Sequence, residues 1–154
     1  MIQATLLLFH AAFLTLPLGI DGSYVAQRMN GHELPADLRI AATEGDFRLF
    51  RLEQGVLRLS RDGRFTLYFR YYHQLVRRGG RPTATPVMSD SETGTYISQS
   101  GQLTLTPTKR KGKKARPTIT ATIIGEEIRA SYVLDSGGTQ QRVTLVMQRD
   151  ARYW

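Results

Sequence analysis

The sequence predicts an all-β chain that closes as a single antiparallel up-and-down β-barrel of eight or nine strands. Three observations carry this expectation. Apolar residues recur with period two after residue 21, the mark of half-buried strands. Short glycine-bearing turns separate the alternating runs. No stretch after residue 21 carries convincing helical periodicity, although a turn of helix near Pro35 to Arg39 is allowed. Hairpins with one apolar face end as a barrel or a sandwich. Consecutive hairpins without a long crossover favour the barrel, and closure removes the two edges that an open meander leaves.

Residues 1–20 read as a hydrophobic leader and residues 21–154 as the barrel domain. Ala4 to Ile20 carries no charge; it has signal-peptide length and is short for a membrane span. No Lys or Arg precedes it and no small-x-small cleavage site follows. Gly19 is the best residue for the position before a cut. A start codon misplaced downstream of the true one would explain the missing basic end. An uncleaved anchor and a packed N-terminal helix are the other readings. The expectation is export, to the periplasm or out of the cell.

Strands are expected near 22–29, 38–44, 46–53, 55–60, 64–76, 93–98, 101–107, 116–124, 127–134 and 139–149. The spans meeting at residue 45, and those meeting at Gly55, can each be one bent strand. Tyr24 lies in the first, which ends in an Asn30-Gly31 turn and a Leu34-Pro35 stop; Pro cannot continue a ladder. Arg64 to Val76 alternates without a break. Phe65, Leu67, Phe69, Tyr71, His73 and Leu75 share one face; Thr66, Tyr68, Arg70, Tyr72 and Gln74 share the other. The first set is expected inside, since a one-residue slip would invert every side chain. Leu103 and Leu105 pair on one face, as do Ile119, Ala121 and Ile123. Ile128, Ala130, Tyr132 and Leu134 form another set, and Val143, Leu145 and Met147 the last. Arg61-Asp62-Gly63, Gln99-Ser100-Gly101, Gly125-Glu126 and Asp135 to Gly138 suit hairpin turns, where Gly supplies positive φ. Arg77 to Glu92 is rich in Gly, Pro, Ser and Thr. It is read as a flexible loop, with a lid over the barrel as the alternative.

The 154 residues allow one domain, and the chain has no Cys, hence no disulfide, thiolate metal site or catalytic thiol. The net charge is +8, but Lys109 to Arg116 holds six basic residues and no acid; without them the charge falls to +2. The charge therefore marks one basic loop between two strands.

Gly22 to Pro35 resembles the start of small bacterial lipocalin-like proteins, which read Gly-x-Tyr or Gly-x-Trp, then Asn-Gly, then Leu-Pro. Gly55 to Phe69 is similar to their next signature, a strand, an Asp-Gly turn and an aromatic strand. Ser91 to Pro107 is similar to a third, in which Gly-Thr-Tyr opens a strand before a Gly turn and an alternating Leu strand. Together they span most of residues 21–149. The chain has Tyr24 where larger lipocalins have Trp, and no helix is expected after the last strand. The resemblance implies a barrel with a binding role, exported from a bacterial cell, and no catalytic residue. It also implies that Tyr24 closes one end, that 22–29 pairs with 139–149, and that Arg142 or Arg149 packs over the Tyr24 ring.

The expected function is a non-enzymatic binding protein for a small apolar or amphipathic ligand inside the barrel. Tyr24, Leu57, Phe65, Leu67, Phe69, Tyr71, Tyr96, Leu103, Ile119, Ile128, Tyr132 and Leu145 are the expected lining, with Arg70 or Arg129 as orienting groups at the rim. The alternative is a solid barrel acting through its surface. Lys109, Arg110, Lys111, Lys113, Lys114 and Arg116 would then contact an envelope polyanion or a protein partner, though such runs are more often solvated loops. The run contains no aromatic residue for base stacking, and no specific nucleic acid is expected. His73 has no second ligand at metal spacing, so neither metal nor cofactor is expected. Asp21, Asp62 and Asp135 sit in turns and Glu126 and Glu127 at a hairpin tip, with no catalytic pair or nucleophile context. A monomer is expected.

Overall fold

The computed structural model describes residues 19–41, 46–81, 83–109, 111–112, 116–136 and 139–153. The leader, apart from Gly19 and Ile20, lies outside the described residues, as do Gly137 and Gly138 of the last expected turn. The strands are β1 (Gly22–Met29), β2 (His32–Glu33), β3 (Ala36–Ala41), β4 (Phe47–Leu59), β5 (Arg64–Val76), β6 (Thr83–Ala84), β7 (Met88–Gln99), β8 (Gln102–Pro107), β9 (Ile119–Ile124), β10 (Glu127–Ser136) and β11 (Thr139–Arg149).

Eight of these, β1, β4, β5 and β7 to β11, close an antiparallel barrel. Closure is made by β1. One edge pairs with β11, Tyr24 opposite Arg149, and the other with β4, Tyr24 opposite Leu57. The expected pairing of first and last strands is therefore present. After Val25, β1 leaves β4, and its ladder with β11 bulges between Ala26 and Arg28. Asn30 and Gly31 turn the chain at φ of 51° and 85°, and β2 folds back on Arg28 and Met29. Then β3 takes over the same edge of β4, from Ala36 opposite Leu52 to Ala41 opposite Phe47. In effect β1 and β3 are one stave interrupted by a small hairpin.

The two ends differ. The lower end holds the start of β1, the tight turns after β4, β7 and β9, and one turn of 3-10 helix, Ala151–Tyr153, after β11. The upper end holds the connections β3 to β4, β5 to β7, β8 to β9 and β10 to β11. Inward residues fill the lower and middle barrel. Leu57 and Ile128 are 0 % exposed, and Tyr24, Phe65, Leu103, Leu145 and Met147 are at most 2 %. A side chain facing a water-sized void would keep accessible surface, so the barrel is filled around them. Each such burial contributes ~1.5–3 kcal/mol. Phe65, Leu67 and Phe69 lie in this core as the alternation requires. Gly94 completes it: a Cβ there would lie 2.1 Å from the Thr106 carbonyl oxygen and 2.6 Å from the Phe65 ring.

Three sequence expectations need correction, and a fourth is decided between its two alternatives. Ala36 opens a strand, not a turn of helix, because alternate residues Ala36, Leu38 and Ile40 are buried against Phe50 and Leu52. The spans on either side of residue 45 are two paired strands, whereas those on either side of Gly55 are one strand with a bulge between Leu52 and Gln54. The supposed flexible loop 77–92 is largely structured. β6 returns along β5, with Thr83 opposite Leu75, and β7 starts at Met88, paired with Tyr71. Last, β9 begins at Ile119, after Pro117; proline removes a ladder donor.

Candidate functional site: the upper end of the barrel

All twelve expected lining residues belong to or pack against one cluster, but they do not form one cavity. Tyr24, Leu57, Phe65, Leu67, Leu103, Ile119, Ile128 and Leu145 are core. Tyr24 and Tyr96 plug the lower end. The Tyr24 hydroxyl donates to the Ile20 carbonyl at 2.8 Å, and the Tyr96 hydroxyl to that of Ser60 at 2.8 Å. The expected arginine does not stack on Tyr24. Arg149 donates instead to the Asp21 carbonyl at 2.7 Å, and exposed Arg142 to Ser131 Oγ at 3.3 Å. Arg70 is exposed on the outer face, and Arg129 pairs with Glu127 at 2.6 Å; neither serves the rim.

Above the core, the inward face of β5 continues as Tyr71 and His73, opposite Leu52 and Phe50 of β4. Phe50, Tyr71 and His73 form a closed triangle of rings. Centroid distances are 5.1 Å (Phe50–Tyr71), 5.4 Å (Phe50–His73) and 5.3 Å (Tyr71–His73). Such tilted and edge-on geometries are favourable for aromatic pairs. Phe50 is buried, but Tyr71 and His73 are half-buried, unlike the core below. His73 Nδ1 is out of solvent without a hydrogen-bond partner among the described residues. Burial, reinforced by the Arg48 charge, lowers the His73 pKa and keeps the ring neutral. Burial likewise raises Tyr71, with nearby Asp90 adding to the effect.

Beside the rings stands a polar network that the sequence reading missed. The pairing of β7 with β5 turns Asp90 and Glu92 inward with Phe69 and Leu67. Glu92 is 5 % exposed. It accepts a hydrogen bond from the Tyr132 hydroxyl at 3.2 Å and faces Arg116 at 3.5 Å. Arg116 also reaches Tyr132 at 3.3 Å and Asp90 at 2.8 Å. Burial and the adjoining Glu92 charge push the Tyr132 phenol well above its ordinary range. Burial works against the Arg116 charge, but Asp90 and Glu92 outweigh it and hold the guanidinium ionised. The space beside this network is only about 10 Å³, room for one water at most. It is a filled structural junction that ties the approach to β9 onto β7 and β10.

Arg116 therefore does not belong to an outward basic patch; it is the inward end of the loop. Lys109 and Lys111 are exposed as expected, and Arg110, Lys113 and Lys114 lie outside the described residues. Elsewhere, clefts of about 290 and 360 Å³ flank Tyr153 on the outside of the lower barrel. Their rims include exposed Arg58, Ser60, Thr66 and Ser91, so a small molecule there would stay largely solvated. Small-ligand sites usually cover most of their ligand. Among the described residues, no group of three His, Asp or Glu is placed to hold a metal ion.

The partly uncovered aromatic cluster thus lies at the upper end of the barrel. No family model, curated protein or solved structure matches this chain, so the site stands on its geometry alone.

Proposed function

We propose that this protein is a non-enzymatic, lipocalin-like binding barrel whose ligand is a small amphipathic molecule seated at the upper end, on the Phe50–Tyr71–His73 triangle. One observation carries the reading: an otherwise filled barrel leaves two of three clustered rings, Tyr71 and His73, half-buried, with the buried Nδ1 of His73 unpartnered among the described residues. Ring faces favour an apolar body, and the free Nδ1 position favours one polar group. The filled core supports a shallow ligand in place of one threaded through the barrel, which narrows the expected lining from twelve residues to Tyr71, joined by Phe50 and His73. Titration with the neutral fluorophore N-phenyl-1-naphthylamine tests it. The wild type is expected to bind, Tyr71→Glu to bind at least ~10-fold more weakly, and Thr66→Glu on the outer face to bind unchanged. A wild type that does not bind, or a Tyr71→Glu variant that binds as well, overturns the reading.

A further inference from the structure

The upper end also carries an unusual distribution of charge and apolar surface. Its two adjacent connections, residues 77–87 and 108–115, hold eight basic residues and no acid in their sequence, apart from the inward-tied Arg116 that follows. They are neighbours because β7 and β8 pair, and the Thr108 amide donates to the Thr93 carbonyl at 2.8 Å. The first is an ordered hairpin tip. Leu75 pairs with Thr83, and the turn is closed by the Gly80 amide on the Arg77 carbonyl at 3.0 Å, with Gly79 at φ 69°. Arg77, Arg78 and Arg81 are exposed on this tip, as are Lys109 and Lys111 on its neighbour. The ion pairs among the described residues engage none of these five side chains, although the Asp46 carboxylate lies at the tip and accepts from the Arg78 amide at 2.9 Å. Val87, at the end of the 77–87 connection, is 60 % exposed, and Met88, the first residue of β7 opposite Tyr71, is 38 % exposed, two of the four large hydrophobic residues exposed on the described surface.

We infer that this end of the barrel docks on a lipid bilayer surface containing anionic headgroups. The arginines and lysines would lie at the headgroup phosphates, and Val87 and Met88 would enter the interface between them. A free polyanion satisfies the cations but gives no role to the apolar pair, whereas a bilayer uses both. This orientation sets the aromatic triangle toward the membrane, but the inference stands without a ligand.

Co-sedimentation with large vesicles tests it, comparing pure phosphatidylcholine with the same lipid containing phosphatidylglycerol. Binding is expected only with the anionic lipid, and it should weaken in high salt. Each cation near such a surface raises partitioning ~5-fold, so R77S/R78S/R81S should bind ~100-fold more weakly. V87S/M88S should bind ~10-fold more weakly to vesicles, yet bind heparin as the wild type does. R58S/R61S, at the other end, should be unchanged. The inference is overturned by an absence of binding to anionic vesicles, or by equal weakening in the lower-end variant. Vesicle binding insensitive to V87S/M88S and matched by heparin or DNA also overturns it, by identifying a soluble polyanion as the partner.

Discussion

Arg116 provides the sharpest energetic prediction, because the sequence and the structure assign it opposite roles. As part of a solvated basic run its loss would cost almost nothing. In the structure it is the counter-ion of Glu92, whose side chain is 7 % exposed, and of Asp90, whose side chain is 30 % exposed. The Asp90 pair is near the surface and contributes ~0.5 kcal/mol. Removing the guanidinium strands the Glu92 carboxylate; breaking a buried pair costs ~3–5 kcal/mol. Arg116 is itself 40 % exposed, so water can replace part of what it supplies and the lower end of that range applies. Arg116→Ala should therefore destabilise by ~3 kcal/mol, which lowers the urea midpoint by ~1.5 M for a typical slope of ~2 kcal/mol/M. Lys111→Ala should stay within ~0.5 kcal/mol. Arg116→Met combined with Glu92→Gln should recover much of the loss, because no charge is then stranded. Equal midpoints for Arg116→Ala and Lys111→Ala in equilibrium urea denaturation would refute the reasoning.

Three further outcomes are expected. Gly94→Ala should destabilise by ~2–3 kcal/mol in the same urea assay, because its Cβ would overlap the Thr106 carbonyl and the Pro107 backbone, 2.1 and 2.9 Å away; a neutral substitution would show that β7 and β8 separate freely there. Tyr24→Ala should cost ~3–5 kcal/mol, measured as the shift in thermal or urea midpoint, since it removes a 2 % exposed ring from the closure seam. His73 has a folded pKa below its ordinary 6.5, so the unfolded chain takes up the proton first as pH falls. Its contribution is complete above about pH 6.5 and is lost as pH falls through the folded value; His73→Phe should flatten the drop in melting temperature between pH 7 and 5, and an unchanged slope would contradict this.

The barrel was legible where one face is apolar throughout. Phe65, Leu67 and Phe69, or Val143, Leu145 and Met147, announce both strand and orientation, because period-two burial leaves no other solution. The tight turns were legible for a similar reason: Gly63, Gly101 and Gly125 all have positive φ. The start of β7 was hidden because its inward residues are Asp90 and Glu92, so hydrophobic alternation vanishes where the barrel interior turns polar. Extending the phase of Tyr96 backward by twos would have placed both acids inside. The junction at Glu92 was invisible for a further reason: Arg116 and Tyr132 lie 24 and 40 residues away from it, and only closure brings them together. Neither could the sequence show how full the barrel is, since large inward side chains fit a filled and a hollow interior equally well.

The central claim is that the ligand sits on the rings of the upper end, above a filled core. Nuclear magnetic resonance mapping of N-phenyl-1-naphthylamine on the labelled protein tests it most directly. Shift changes are expected to concentrate at Phe50, Tyr71 and His73, with Tyr24, Leu57, Ile128 and Leu145 unmoved. Changes centred on those four core residues, or on the outer clefts beside Tyr153, would contradict it.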